Sequence, residues 1–460
     1  MSYICSGLVV RPSAAYFMNE IKMKRFVSFA ILASMLFPVA TPAQEKSQEK
    51  KATVEVHGFI RSYFAYDSRE CTAGTEDFYT WGPKDRSVTG ANGDDIYAHS
   101  TFRFAALTSR LWVEVKGYEY NGVKFGARVE SDFYAGLSGS TGTATLRLRQ
   151  AFMTAQKGAS LVKVGQAWHP MAADMPHVFS LNTGAPFGPF ARTPQVNWDY
   201  KINDNFSATA AALWQMQYVS AGPEGASANY IKYAKTPELY IGVNYKNGGF
   251  LGRLGLDVLS IKPRYYTTIS AAIPGGTENT SVLVDDRITT FNKFIYLQYQ
   301  NKDFSVKAKS VLAEAGEHVN LIGGYGVKSY NAETGERKYT PTQASSSWVS
   351  FSKGTVNKYI LFLGYYKNFG TKDALMAGSN AYTPAEFNFA KNINSNVNQM
   401  MRITPTFIHS FGKFDLGVEY ELTGVQYGDK SRCNLEKGLY EDGLHWVFNN
   451  RVQGLVKFTF

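Results

Sequence analysis

This 460-residue chain contains only three cysteines and few charged residues, and it lacks long apolar runs. So few cysteines exclude a disulfide-rich scaffold and a metal site built from cysteine pairs. Only 19% of the residues are charged, which is less than a soluble domain of this length usually carries. After residue 43 no apolar run approaches the roughly 20 residues that a membrane-spanning helix needs.

Sequence motifs of catalysis are also missing. There is no Gly-x-Ser-x-Gly, no His-Glu-x-x-His and no phosphate-binding Gly-Lys-Ser/Thr. His409 and His445 lie near serines, but their spacing singles out no nucleophile. The net charge of +10 is spread along the chain rather than clustered in a Lys/Arg stripe, which argues against nucleic-acid binding. We expect no enzyme, no cofactor and no metal.

The first residues have the layout of an export signal. Within residues 23–43 a short basic segment precedes an apolar stretch and then small residues, as in a signal peptide, with a membrane anchor as the alternative. Met23 is the expected start, so residues 1–22 are interpreted as an upstream extension. Residues 44–52 form a short periplasmic lead-in, and residues 53–460 form the folded domain.

Aromatic residues and glycines are abundant, with 29 Tyr, 31 Phe, 7 Trp and 41 Gly. Outer-membrane β-barrels use aromatics in two interface girdles and glycine in tight turns. A soluble β-sandwich with an aromatic core is the alternative. The composition therefore favours an exported, strand-rich protein with an extensive apolar surface.

Two-residue alternation marks many segments as strands with one apolar and one polar face, and the last segment shows it clearly. Its apolar face carries Val452, Val456, Phe458 and Phe460. Its polar face carries Arg451, Gln453, Lys457 and Thr459, with Leu455 as the exception. A final strand that ends on an aromatic residue is typical of bacterial outer-membrane barrels.

Seven very short Gly/Asn/Asp turns alternate with eight long polar stretches, which implies fifteen connections and sixteen strands. We predict an all-β fold: a transmembrane antiparallel β-barrel with short periplasmic turns and long extracellular loops. The alternation is weakest near residues 343–351, where Ser345, Ser346 and Ser347 dilute it, so counts of 14 or 18 stay open.

The inward parity of the early strands concentrates cations on one wall of the lumen. The predicted pore-lining cations are Arg61, Arg110, Lys116, Lys124, Arg128, Arg147, Arg149 and Lys163. For Arg147 and Arg149 the direction is inferred from Leu146, Leu148 and Phe152, which are expected to face lipid. This wall would attract anions.

Late strands place acids on the inward parity, and an opposing acidic wall of Asp415, Glu419 and Glu421 is expected. Separated basic and acidic walls would create a field across the lumen. The alternative is a lattice of salt bridges that neutralises itself and only supports the wall.

The third long stretch, residues 169–189, is too apolar for a freely solvated loop, and four prolines stiffen it. We expect it to fold inward and constrict the channel; a lid packed on neighbouring loops is the alternative. The constriction residues are His169, Met171, Asp174, Met175, His177 and Phe179. The histidine spacing does not suggest a metal site.

Cys71 falls in the first long stretch and Cys433 in the last. The first and last strands of a closed barrel are neighbours, and both stretches leave the same rim. A Cys71–Cys433 disulfide is one expectation, and two free thiols are the other.

Several blocks resemble the DcaP-like trimeric porins of bacterial outer membranes. In chain order they are LTSRLWVEVKG (107–117), GARVESDFY (126–134), LRLRQAF (146–152), VGQAW (164–168) and GPFARTPQV (188–196). The similarity is clearest over about residues 105–200. Two features differ from the family: the predicted lead-in is too short for its periplasmic coiled coil, and the third long stretch is rich in Met and Pro.

The resemblance implies a homotrimer of sixteen-stranded barrels that prefers small anionic organic solutes. It also implies pore-lining roles for Arg110, Arg128, Arg147, Arg149 and Arg192. The sequence therefore predicts an outer-membrane porin, embedded in lipid, for passive diffusion of small hydrophilic solutes with anions favoured. The alternatives are a specific channel for a phosphate- or carboxylate-bearing nutrient and an outer-membrane enzyme or surface-binding barrel.

Overall fold

A computed structural model describes residues 51–88, 92–138, 143–274, 276–376, 388–389 and 396–460. The predicted upstream extension, the predicted signal peptide and most of the predicted lead-in lie outside the described residues.

The described residues form a closed antiparallel barrel of sixteen strands, in which each strand pairs with its neighbours in the chain and β16 pairs with β1. The strands are β1 (Thr53–Asp67), β2 (Thr101–Ala105 continued by Arg110–Tyr120), β3 (Val123–Asp132), β4 (Arg147–Lys157), β5 (Ser160–Trp168), β6 (Arg192–Lys201), β7 (Phe206–Leu213), β8 (Glu238–Asn247), β9 (Phe250–Ile261), β10 (Ile288–Gln300), β11 (Phe304–Glu314), β12 (Arg337–Lys353), β13 (Asn357–Thr371), β14 (Val397–Phe411), β15 (Phe414–Tyr427) and β16 (His445–Thr459). The predicted fold class and strand count are confirmed, and the serine-rich segment lies within β12.

Short turns join the strands at one rim, as the sequence predicts. The turn between β2 and β3 shows why Asn and Gly occur there, because Asn121 and Gly122 both have positive φ, at 50° and 74°. That left-handed backbone matches the twist of a two-residue hairpin, and few other residue types adopt it without strain. The long connections all leave the opposite rim.

The long connections contain short elements of their own. They are a hairpin of Cys71–Gly74 and Tyr79–Pro83 around the 3-10 turn Thr75–Asp77, the strand pair Leu137–Ser138 and Thr143–Ala144, the 3-10 turn Pro170–Ala172, the α-helix α1 (Asn229–Ala234), a hairpin of Tyr266–Ile273 and Gly276–Leu283, the 3-10 turn Gly316–Val319, and the strands Gly324–Tyr330 and Asn388–Phe389. Among the described residues no helix is both long enough and apolar enough to cross a membrane.

The outer face of the barrel is apolar. Large apolar side chains are exposed on strands around the wall, including Ile60, Leu111, Ile241, Leu254 and Val456. In water such a continuous surface would be unstable, whereas the hydrocarbon core of a membrane solvates it. The outer face is therefore the lipid-facing surface.

The interior of the barrel is largely filled. Tyr63 and Leu455 from the wall, Trp81 and Phe179 from the inward-folded connections, and Tyr134 belong to one buried apolar cluster. The space left for solvent is thus set by the loops inside the barrel, and much less by the barrel diameter.

The predicted lipid-facing position of Phe152 is wrong. Between β4 and β3, Gln150 lies opposite Glu130 and Leu148 lies opposite Ser131. Arg149, which lies between them in the chain, therefore has no residue opposite it on β3. A bulge of this kind changes which residues face inward. Phe152 consequently pairs with inward-facing Arg128, and Met153 takes the lipid side.

A charge on the lipid face should destabilise the barrel according to its depth. Ile241 lies inside β8 and is 60% exposed, and Ile202 lies in a short turn at the rim and is 55% exposed. We expect Ile241→Arg to cost about 2–4 kcal/mol of unfolding free energy and Ile202→Arg only about 0–1 kcal/mol. Urea unfolding in lipid vesicles measures both; equal costs would contradict the assignment of the lipid face.

Candidate functional site: an arginine-lined cavity inside the barrel

The connection between β5 and β6, residues 169–191, crosses the interior of the barrel; we call it the inner loop. On the β15 side, the backbone N–H groups of Phe179 and Ser180 donate to the two carboxylate oxygens of Glu419, each at 3.0 Å. Asn182 donates to Glu421 at 3.0 Å. Wall side chains thus satisfy backbone groups that would otherwise be buried without partners.

The opposite wall holds the first half of the inner loop. Lys309 donates to the carbonyl oxygens of Met171 at 2.7 Å and Asp174 at 2.8 Å. The carboxylate of Asp174 also pairs with Arg253 at 2.9 Å. The loop is therefore anchored on both sides and divides the interior.

Each residue predicted for the constriction lies on this loop, in one of four surroundings. His169 and Met171 are buried at its base, Asp174 pairs with Arg253, and His177 exchanges hydrogen bonds with Ser350. Met175 and Phe179 line the cavity described next. Their effect on solute passage stays a prediction.

The expected acidic wall is not open to the lumen. Glu419 and Glu421 are fully buried because the inner loop lies over them and uses their carboxylates as hydrogen-bond acceptors. Asp415 lies near a short turn, where it pairs with Lys457 at 2.6 Å. The two buried acids therefore position the loop and do not belong to the cavity lining described below.

A cavity of about 840 Å³ lies between the inner loop and the early strands. Five of the predicted arginines meet there: Arg61, Arg110, Arg147, Arg149 and Arg192. Aromatic side chains complete much of the lining: Tyr79, Trp81, Tyr134, Trp168, Phe179 and Phe190. The site is thus both cationic and aromatic.

Three of these arginines share two acids on β3, Glu130 and Asp132. Arg147 binds Asp132 through two hydrogen bonds of 2.9 Å, and Arg149 bridges Asp132 and Glu130. Arg110 lies farther away, 3.5 Å from Glu130 and 3.8 Å from Asp132. The alternative of a self-neutralising lattice therefore describes this part of the wall.

Arg61 and Arg192 differ, since no ion pair involves either of them within the described residues. The Arg61 Nε donates to Thr108 at 3.0 Å. Arg192 is only 1% exposed, its guanidinium lies 4.7 Å from the Trp168 ring centre, and its Nη1 lacks a hydrogen-bond partner in the described part of the chain. A buried, unsatisfied cation is costly, and an anion in the cavity would relieve that cost.

The acids that line the cavity offset the positive charge of its arginines only in part. Asp132 is already shared by Arg147 and Arg149. Glu317, from the connection between β11 and β12, also lines the cavity, and burial raises the pKa of Glu317 to about 7. Near neutral pH its carboxyl therefore carries less than a full negative charge.

The remaining predicted cations lie outside the cavity lining. Lys116 bridges Glu55 at 2.9 Å and Glu114 at 2.6 Å, and Arg128 pairs with Glu114 at 2.7 Å. Lys163 lies 5.5 Å from the ring centre of Phe152, and Lys124 is exposed. The pore-lining role of these four cations stays a prediction, and the sequence could not show which acids pair with them.

Sequence reasoning missed the hairpin Cys71–Gly74 and Tyr79–Pro83, which packs against the inner wall and brings Tyr79 and Trp81 to the cavity. It also missed Arg402, which donates to the carbonyl oxygens of both Trp81 and Ala185, each at 2.8 Å. The available signal was a cluster of aromatic residues in a stretch read as polar.

The structure has no disulfide between Cys71 and Cys433, and both are free thiols. The Cys71 thiol lies 3.5 Å from the carbonyl oxygen of Arg69, on the hairpin that folds toward the inner wall. Cys433 lies beside Tyr440 in the connection between β15 and β16. Inward folding of the first connection separates the two residues that neighbouring strands were expected to bring together.

Comparison with known proteins identifies the fold. The sequence matches no protein-family model and no curated protein. The structure is similar to the outer-membrane channel DcaP of Acinetobacter baumannii, with a TM-score of 0.60 and 18% identity over 89% of this chain and 97% of that chain. It is also similar to an anion-selective porin from Comamonas acidovorans, with a TM-score of 0.50 and 12% identity over 89% of this chain and 100% of that chain.

This chain therefore has the fold of the outer-membrane porins. A closed sixteen-stranded barrel with an apolar outer face is a structure of bacterial outer membranes, and that is the location of this protein. The identities are too low to carry over the solute or the selectivity of either neighbour.

Replacing Glu419 with Gln should loosen the inner loop. A Gln side chain offers one acceptor oxygen and turns an NH2 group toward the second loop amide, so one charge-assisted hydrogen bond is lost. Since such a bond is worth about 1.5–3 kcal/mol, amide exchange at Phe179 and Ser180 should accelerate about 10- to 100-fold. Asp415→Asn is the control, and unchanged exchange in Glu419→Gln would contradict the anchoring role.

Proposed function

We propose that the protein is a narrow, water-filled channel through which small hydrophilic solutes diffuse passively across the outer membrane, with anions favoured. The observation that carries the proposal is the pair Arg61 and Arg192, two cavity cations without acidic partners among the described residues. Because the inner loop occupies much of the lumen, we expect solutes that cross the barrel to pass close to these two guanidinium groups.

Electrostatics supports anion preference. The cavity lining includes five arginines, and its acids are Asp132 and Glu317. Adding Glu130, which lies behind the lining and pairs with Arg149, still leaves more positive than negative groups. Low-dielectric walls focus such a charge imbalance and raise the local concentration of counter-ions.

The neighbours of the same fold support the same proposal. One of them is described as an anion-selective porin, and another as an outer-membrane channel. We propose a channel function for this chain because of its cavity, and the fold that it shares with these channels is consistent with that function. We also propose a homotrimer, which the resemblance to trimeric porins implies.

Ion selectivity tests the proposal directly. Removing one cation from a narrow site changes the energy of an anion about 4 Å away by roughly 1 kcal/mol in water, which is about fivefold in relative permeability. In planar bilayers under a KCl gradient, Arg61→Gln and Arg192→Gln should each shift the reversal potential toward cations.

The control is Arg432→Gln, since Arg432 is an exposed residue in the connection between β15 and β16, outside the cavity lining. It should retain the selectivity of the unmodified protein. Unchanged selectivity in both cavity variants would contradict the role of Arg61 and Arg192, and a folded protein without conductance would remove the channel itself.

A second candidate is a channel specific for an organic anion. The observation that favours it is the packing of Arg192 against Trp168 at 4.7 Å and Phe190 at 5.5 Å, which places a cation beside aromatic faces. A carboxylate or phosphate attached to an apolar body would find a charge partner and an apolar contact in one place. A general anion-favouring porin would need only the positive charge of the arginine and not the aromatic contact.

Current block distinguishes the two candidates. If the channel is specific, benzoate should reduce chloride conductance at concentrations where acetate has no effect. Trp168→Ala should then weaken the block by about fivefold, since an aromatic contact of this kind is worth roughly 1 kcal/mol. Equal effects of benzoate and acetate would favour the general porin.

The proposal includes no catalytic activity. The ring nitrogen Nε2 of His177 lies 3.3 Å from the Ser305 hydroxyl, which resembles two members of a catalytic triad. The charged side chains that influence His177 are Lys307 and Lys358, however, and a triad histidine is oriented by a carboxylate. This pair fits a role in holding the inner loop.

A further inference from the structure

Four metal-ligand side chains converge where the inner loop meets the wall. His169 begins the inner loop, Glu238 is the first residue of β8, Asp257 lies in β9, and His318 lies in the 3-10 turn Gly316–Val319. All four are buried, with at most 1% of each residue exposed. The ligand atoms of His169, Glu238 and Asp257 lie within 4.8 Å of one another, and His318 adjoins the two carboxylates; we call the four residues the His/acid cluster.

The distances within the His/acid cluster suit a single small ion. His169 Nε2 lies 2.6 Å from Glu238 Oε1 and 3.9 Å from Asp257 Oδ1. His318 Nε2 lies 3.6 Å from Glu238 Oε1 and 3.5 Å from Asp257 Oδ2. Tetrahedral zinc bonds of about 2.0–2.1 Å separate ligand atoms by roughly 3.3 Å, close to the middle of this range.

Unsatisfied atoms point to a missing partner. Within the described residues both ring nitrogens of His318, Oε2 of Glu238 and Oδ1 of Asp257 are buried without a hydrogen bond of normal geometry. Most buried polar atoms in proteins are hydrogen-bonded, so several unsatisfied atoms in one cluster require an explanation. Asn292 donates to Asp257 at 3.1 Å and orients that carboxylate, as outer-shell groups do at metal sites.

Charge balance is consistent with a bound cation, although protonation of both imidazoles would balance the two carboxylates as well. Two carboxylates and two neutral imidazoles carry a charge of −2, and burying that charge without compensation is strongly unfavourable. One divalent cation makes the cluster neutral. Its mixed nitrogen and oxygen ligands suit a first-row transition metal better than calcium or magnesium, which bind mainly oxygen.

We infer that His169, Glu238, Asp257 and His318 form a binding site for one divalent transition-metal ion, with zinc as the expected metal. The site would fasten the base of the inner loop and the connection between β11 and β12 to β8 and β9. This inference concerns loop anchoring and does not depend on which solute crosses the channel.

Metal binding requires a change of tautomer at His169. Its Nδ1 accepts a hydrogen bond from the Met171 backbone at 3.2 Å, so in this arrangement Nε2 carries the proton and donates it to Glu238. When Nε2 binds the ion, the ring proton moves to Nδ1 and the hydrogen bond from Met171 is lost. The metal–nitrogen bond therefore replaces two hydrogen bonds at the start of the inner loop.

A second group of possible metal ligands differs from the His/acid cluster in its burial and in its ionic partners. Glu55, His57 and Glu114 also lie close together, but they are only partly buried. The Lys116 ammonium lies 2.9 Å from Glu55 and 2.6 Å from Glu114, so a cation already occupies the space between the two acids. Among the described residues no Lys or Arg pairs with Glu238 or Asp257, whose ionic partners are the two histidines.

Metal content tests the inference. Untagged full-length protein, purified in detergent from outer membranes without chelators, should contain about one zinc or other first-row metal ion per chain by elemental analysis. His318→Gln and Asp257→Asn should each lose most of it. His445→Gln is the matched control, because His445 pairs with Asp85 at 2.7 Å outside the cluster, and it should keep the metal.

Two results would overturn the site. One is unmodified protein that holds less than about 0.1 ion per chain even after refolding with zinc chloride. The other is metal that persists in both cluster variants, since the ion would then be bound elsewhere. If the variants fail to fold, anomalous scattering at the zinc edge from crystals of the unmodified protein decides, through a peak at the cluster or its absence.

Discussion

The demand that every backbone N–H and C=O group inside a membrane be hydrogen-bonded within the protein underlies the whole structure. Strands meet this demand only if the sheet closes on itself, because an open edge would leave a row of unpaired groups in lipid. Pairing of β1 with β16 closes it here. Closure then dictates the alternation of apolar and polar residues, the short turns at one rim and the enclosed interior.

Inside the barrel the same demand acts on the loops. The inner loop has little regular structure of its own, so wall side chains supply its hydrogen bonds: Glu419 to two amide groups, Lys309 to two carbonyl oxygens, and Arg402 to a third carbonyl oxygen. Charged residues that face inward therefore have two different roles. Some neutralise one another or hold loops, and a few, such as Arg61 and Arg192, keep their charge available to the cavity.

The fold could be predicted from the sequence because it depends on local patterns. Alternation, turn residues and the spacing of long stretches each report on a few neighbouring residues, and together they specified the sixteen strands. The site was harder, because its properties depend on pairs far apart in the chain. The sequence singled out Arg147 and Arg149, yet only the structure shows that they pair with Asp132 and Glu130.

Where prediction went wrong, a local irregularity or a long-range contact was responsible. A single extra residue in β4 turned Phe152 from the lipid to the lumen. The acids of β15 are buried because a loop more than two hundred residues earlier lies on them.

Arg451 of β16 pairs with Asp67 of β1 at 3.0 Å and also donates to the backbone carbonyl of Asp77 at 2.6 Å, at the tip of the first inward hairpin. One side chain thus joins the two strands of the seam to a segment that occupies the interior. The position of the hairpin and the closure of the seam are therefore coupled, because the same guanidinium group holds both. Losing the Arg451 side chain would thus weaken the seam and release the first connection from the wall at the same time.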